Sequence, residues 1–336
     1  DGLTNRSIMY WAKNSNYTQY MNVRNNTVSY YIELTFKNPT DFDFAQVLYH
    51  LCKDTFVCVS IKNNVWYEFN NQKWCEIDSG NSLRMIISKK MHDLYMRKVS
   101  ETMSALQKMD QQDQNYETIR KRANKFTELC LLLKKTNSKN NIMKEAKELF
   151  YDKDFINKLD SNAYLMCFNN YVIDFKTGTW RQGQPDDYIS KCTNIDYIPL
   201  SNIKDKETID EVKKFIDELF PNEELREYMW QHLASTLIGN NDNQTFNIYT
   251  GSGRNGKSKL VDLMSKMLGE YKATVPVTLV TQKRVGIGNT SSEIVQLMGV
   301  RYAVMQEPSK GDKINEGIMK EITGGDPIQG RALFQE

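Results

Sequence analysis

The sequence lacks most of the features that would narrow its chemistry at a glance. Its 44 basic and 42 acidic side chains leave a net charge of +2, too little to argue for nucleic acid from the whole molecule. No apolar run approaches membrane-spanning length, and the first residues show no charged-then-apolar pattern of a signal peptide. There is no C-x-x-C pair among the cysteines Cys52, Cys58, Cys75, Cys130, Cys167 and Cys192, which scatter through apparent strands and helices as reduced intracellular thiols do. His50, Cys52 and Cys58 lie close together, but their spacing fits no usual zinc finger and core packing is expected. With that setting, the sequons at Asn5, Asn16, Asn25 and Asn289 are incidental to an Asn-rich chain. No internal repeat or long low-complexity linker appears, and 336 residues suffice for two or three domains with cores of their own.

What is present is concentrated near residue 250. Gly251, Ser252, Gly253, Arg254, Asn255, Gly256, Lys257 and Ser258 spell a complete Walker A loop. Before it, residues 245–250 read as a buried strand; after it, Leu260, Leu263, Met264, Met267 and Leu268 have helical spacing. The glycines let the backbone turn so that its N–H groups and the helix N-terminus face phosphates. Lys257 adds a mobile positive charge for the β and γ phosphates, and Ser258 offers a hydroxyl to Mg2+. The combination points to ATP.

Hydrolysis needs a second element, and residues 300–307 supply a short apolar run ending in Glu307. A carboxylate at the C-terminal edge of a parallel strand beside the loop is placed to orient an attacking water, whereas by itself it would be a surface Glu closing a core strand. Gln306 holds the position where many such ATPases carry a metal-assisting acid. An amide brings no charge there, so its part in holding the metal is at most indirect and more of it falls to Ser258 and the phosphates.

Periodicity organises the rest. Residues 4–53 suggest three helices, the third capped at Thr40 or Asp41, and residues 55–61, 65–69 and 73–77 alternate as a meander turned at Asn63-Asn64 and Asn70-Asn71. Helices dominate from 82 to about 159, a small β unit turns at residues 176–178, and two helices near 206–219 and 223–238 lead to the loop. Asp41-Phe-Asp43 has the D-x-D form of a metal pair, but a helical pattern comes directly after it and helix capping explains the acids. Trp66, Tyr67 and Trp74 are expected in a core rather than stacked on bases. From Arg120 to Lys158 there are eleven basic and five acidic residues. Arg120, Lys121, Arg122 and Lys125 begin that stretch, which lies either along a DNA path or on a solvated helical face.

The order of motifs resembles that of superfamily 3 helicases: a loop of the form G-x-G-x-N-G-K-S, the strand ending in Glu307, then residues 315–326 and Arg331, similar to the family's motif B prime. Residues 162–178 and 185–193 resemble the segment that precedes the helicase in primase-helicases of large nucleocytoplasmic, poxvirus-like DNA viruses and some phages. The resemblance implies an α/β fold. A helical region with a β-meander (1–105) and a collar-like helical and β region (106–200) would precede a P-loop AAA+-type ATPase core with a parallel sheet (201–336), C-terminally incomplete. It also implies ATP and Mg2+, a hexameric homo-oligomeric ring, single-stranded or forked DNA and other replication proteins as partners, and work in the host cell cytoplasm without a membrane. Lys320 and Arg331 match basic residues of the family's DNA-directed hairpin; both alternatively make ion pairs. A primase domain before residue 1, and the sensor asparagine and arginine finger past Glu336, are expected elsewhere in a longer protein, so that this stretch alone would hydrolyse ATP poorly. A second class, an ATP-binding loader or assembly scaffold that does not unwind, shares every one of these motifs.

Overall fold

In the computed structural model the described residues are 5–281 and 292–325, and they fall into two compact units. The first comprises Asp1–Asn70 and Trp74–Lys158, the second Asn71–Lys73 and Leu159–Glu336. The division after Lys158 falls inside the stretch 106–200 that the sequence treats as one region.

The first unit is built on helices α1 (Asn5–Ser15), α2 (Tyr17–Lys37) and α3 (Asp41–Cys52), then strands β1 (Phe56–Ser60), β2 (Val65–Asn70) and β3 (Lys73–Ile77). Helices α4 (Asn81–Ile86), α5 (His92–Gln107), α6 (Tyr116–Lys134), α7 (Thr136–Leu149) and α8 (Phe155–Lys158) come next, with a π-helical turn at Ile87–Met91 between α4 and α5. Thr40 caps α3 by accepting from the Asp43 N–H at 3.2 Å. Asp41 and Asp43 occupy that helix's first turn, where negative charge meets the positive end of the macrodipole. Phe44, Ala45, Val47, Leu48 and Leu51 of α3 enter the core with Ile32, Leu83, Tyr95, Phe126 and Leu133. The turns of the sheet depend on Asn64 and Asn71, both left-handed at φ 55° and 46°. Trp66 and Trp74 are buried, and the Tyr67 and Trp74 rings pack on Phe155 at 5.4 and 4.9 Å. His50 stacks on Tyr31 at 4.1 Å, and Cys52 and Cys58 are buried beside it in the sequence; burial pushes the Cys52 thiol up to about 12.

The second unit opens with a small antiparallel sheet, β4 (Leu165–Cys167), β5 (Val172–Asp174) and β6 (Thr179–Arg181), paired in that order. Helices α9 (Lys206–Leu219) and α10 (Glu223–Ser235) are capped by Asp205 and Asn222, which accept from the Thr208 and Leu225 N–H groups at 3.0 and 2.9 Å. Helix α11 (Lys257–Leu268), β7 (Lys272–Val275), the short turns α12 (Thr278–Thr281) and α13 (Ser292–Val295), β8 (Tyr302–Met305) and α14 (Glu316–Thr323) complete it. Strands β7 and β8 are parallel, with Lys272 opposite Tyr302 and Val275 opposite Met305. The fold is therefore mixed α/β with small sheets, one of them a parallel pair.

One expected strand is not formed as such. Residues 245–250 join no ladder, and Phe246 and Ile248 are exposed. Their apolar alternation suits a strand, but among the described residues the sheet pairs β7 with β8 alone, and at Thr245 the Asn241 side chain takes the backbone groups instead, donating to Thr245 O at 3.1 Å and accepting from its N–H at 3.4 Å.

Candidate functional site

Residues 251–258 form a largely exposed loop that runs directly into α11. Gly253 and Gly256 adopt φ 92° and 82°, open only to glycine without strain, and a Cβ on Gly256 would stand 2.7 Å from the Leu219 side chain. Gly251 is constrained differently: a Cβ there would collide with the Asn255 amide. Lys257 is the first residue of α11 and donates to Asn255 Oδ1 at 2.8 Å, so its ammonium lies over its own loop. Ser258 is exposed beside it, and the N–H groups of the first helical turn have no acceptor four residues back. Free N–H groups, a lysine amine and a serine hydroxyl around a turn without side-chain bulk are the donors a nucleotide triphosphate with Mg2+ requires, and the residues present fit that group.

Two contacts tie this loop to the rest of the site. Leu260, Met264 and Leu268 of α11 share one core with Tyr271 and with Tyr302 of β8, so the helix that starts at Lys257 packs with the strand that ends two residues before Glu307. Tyr249, at the end of the segment leading into the loop, packs against the core that holds Tyr302, and its hydroxyl lies 2.8 Å from His232 Nε2. Burial raises both tyrosine hydroxyls and lowers His232, which favours the neutral forms of all three. Neither Leu219 nor the His232–Tyr249 contact carries a sequence signal, because each joins segments distant along the chain. Gln306 and Glu307 are both exposed just beyond β8.

The segment from Asn315 is helical over Glu316–Thr323. Asn315 caps α14 by accepting from Ile318 N–H at 3.3 Å, while its own N–H donates to Val280 O at 2.7 Å. At the other end of α14, Gln244 donates to Gly324 O at 3.1 Å, which brings the helix end to the loop before residue 245. Lys320 is exposed on α14; Arg331 and Asp326 lie outside the described residues.

The basic residues of α6 separate into two kinds. Arg122 donates to both Glu33 oxygens, at 2.8 and 2.7 Å, and its guanidinium lies 5.2 and 5.4 Å from the Phe36 and Phe126 rings, a packed position within the first unit. Arg120 pairs with Glu117 at 3.0 Å on an open face, where solvent screens the attraction. Lys121 is exposed and Lys125 half-buried on the same helix. Among the described residues no helix is long and apolar enough to cross a membrane.

The sequence is similar to those of known proteins. Residues 45–221 match the family described as "D5 N terminal like". The chain is 36% identical over 295 residues to the "Putative helicase L207/L206" of Acanthamoeba polyphaga mimivirus, covering 87% of this chain and 30% of that protein. It is 24% identical over 424 aligned positions to the "Putative helicase 022R" of Frog virus 3, covering 99% and 43%. The "Putative primase C962R" of African swine fever virus (isolate Pig/Kenya/KEN-50/1950) is 24% identical over 356 positions, covering 99% and 36%. These relatives are proteins of large DNA viruses, and the chain spans less than half the length of each.

Proposed function

The chain belongs to the D5 N terminal like family, and from that premise we propose that it is the ATP-driven part of a viral primase-helicase. In this reading residues 201–336 are a P-loop core of AAA+ type that works as a hexameric ring on single-stranded or forked DNA. It does so beside other replication proteins in the host cell cytoplasm. The observation that carries the reading is the shared core of α11, which begins with Lys257, and β8, which leads into Glu307. Lys257 and the N–H groups of the loop and first helical turn bind the phosphates, and the lysine charge counts most where negative charge builds as the terminal phosphoryl group leaves. Glu307 accepts a hydrogen bond from the attacking water and orients it. Mg2+, when bound, supplies further neutralisation of phosphate charge, with Ser258 as the hydroxyl offered to it and Gln306 acting at most indirectly. In a ring, each site depends on a neighbouring subunit for the arginine that completes it.

The test is strand displacement by the full-length protein. A labelled strand should leave a forked duplex with ATP and stay annealed with a non-hydrolysable analogue. Ring assembly and DNA binding with no displacement at any ATP concentration would make the protein a loader or scaffold instead.

DNA contact on α6 rests on Arg120, Lys121 and Lys125, while Arg122 is committed to Glu33. Changing the three to Gln together should weaken single-strand binding and flatten the slope of log affinity against log salt by about 2, because each lost phosphate contact retains its condensed counterions. Arg122→Gln should leave that slope alone and lower the melting temperature. A triple variant with the wild-type slope would return this face to ordinary solvation.

A further inference from the structure

Both strands of the parallel pair start against the same two side chains. Tyr271 immediately precedes β7 and Arg301 immediately precedes β8, and the Arg301 N–H donates to Tyr271 O at 2.8 Å, extending the pairing one residue beyond the ladder. The Arg301 guanidinium lies over the Tyr271 ring, 4.6 Å from its centroid. Its two arms separate: Nη1 donates to Leu237 O, just past α10, and Nη2 donates to Leu165 O at the start of β4. The Tyr271 hydroxyl accepts from Cys167 N–H at 3.0 Å, at the other end of β4, and donates to Lys191 O at 3.0 Å. Two side chains thus satisfy four backbone groups on three separate segments.

The arrangement is costly for an ordinary packing contact. Burial disfavours the Arg301 charge, with Tyr271 and Asp160 offsetting part of that, and a buried guanidinium is retained only where its donors are well used. A cavity of about 210 Å3, lined by Asp160, Asn162, Gly239 and Leu297 among others, adjoins the pair. The guanidinium is therefore held by its acceptors more than by close packing, and a lysine, without a planar fork, cannot serve both carbonyls from over the ring. Leu165, Cys167 and Lys191 lie inside the family-matched residues 45–221, whereas Tyr271 and Arg301 lie outside them. The pair joins that segment to the strand leading to Glu307.

We propose that Arg301 and Tyr271 are positioning residues that clamp the start of β8 onto the small sheet and so set where Glu307 stands for hydrolysis. Six residues of near-extended chain put Arg301 roughly 20 Å from Glu307, so it acts through the strand and touches no nucleotide. The inference rests on Glu307 being the hydrolytic carboxylate. It makes the small sheet a control on turnover: whatever moves β4 moves β8.

The experiment compares Arg301→Lys, Arg301→Met and Tyr271→Phe with wild type in the full-length protein. Turnover, ATP dissociation constant and amide exchange are measured on each. For both Arg301 variants kcat should fall between about 10- and 100-fold with KM and ATP affinity within about twofold of wild type, as expected when a reacting group is displaced by a fraction of an ångström to an ångström. Amides of residues 302–305 should exchange faster. Tyr271→Phe keeps the ring under the guanidinium and should move kcat and exchange in the same direction by less, which keeps the idea testable if the Arg301 variants do not fold. A folded variant with wild-type kcat, or one in which kcat and ATP affinity fall together, overturns the proposal. Exchange needs no nucleotide, so it separates two failures. Unchanged exchange at 302–305 in the variants removes the clamp itself. A wild-type protein that binds no ATP but whose variants exchange faster there removes the reading of the nucleotide site, and with it any role for the clamp in hydrolysis.

Discussion

Lys257→Ala in the full-length protein is expected to reduce ATP turnover by at least about 10²-fold, the scale lost when one preorganised charge or donor is removed from a developing oxyanion. The amine stands at the first position of α11 and is held by Asn255, within the same loop, so the substitution removes a charge without disturbing a core. The side chain is at the helix surface and alanine is the best helix former, so the melting temperature should stay within a few degrees. Turnover measured by phosphate release, beside a melting curve, checks both. Wild-type turnover in a folded Lys257→Ala protein would remove the nucleotide-site reading, because no other lysine lies within the loop. An unfolded variant would show that the amine serves the fold, although its bond to Asn255 lies at the surface.

The parts of this site that the sequence displays are those whose cause is local. Glycines that must take positive φ, a Thr40 that must cap the helix after it, and asparagines that must turn a hairpin each act within a few residues, so spacing alone exposes them. Partner choice is not local. The run 245–250 alternates like a strand whether or not a ladder accepts it, and only the folded arrangement shows the Tyr249 hydroxyl meeting His232 while Phe246 and Ile248 face outward. Arg122 looks like its neighbours in a basic stretch; its carboxylate partner Glu33 is 89 residues away and invisible to any window. Arg301 is the sharpest case. In the sequence it is one charge beside an apolar run, and its acceptors at Leu237 and Leu165 are 64 and 136 residues distant. The acid that marks β8 is legible for the opposite reason: Glu307 stands just past the apolar run that makes the strand.

Glu307→Gln should separate binding from chemistry. The amide keeps the size and two-pronged shape of the carboxylate but loses the negative charge that holds and polarises a water, so the loss belongs to the hydrolytic step. A positioned general base is worth on the order of 10²–10⁴ in rate, and kcat should fall within that range. ATP affinity should stay within about threefold of wild type or tighten, since a negative charge near the phosphates is removed. Glu307 is exposed beyond the end of β8 and belongs to no hydrophobic core, so the variant should fold as wild type does. Single-turnover hydrolysis and equilibrium binding of a fluorescent ATP analogue together make the measurement. The expected pattern is a protein that fills with ATP, assembles on DNA and stalls there. Equal losses in affinity and rate would place Glu307 in nucleotide binding rather than in orienting water. Unchanged rate would leave it as a surface residue closing a strand, and the hydrolytic carboxylate would have to be sought elsewhere.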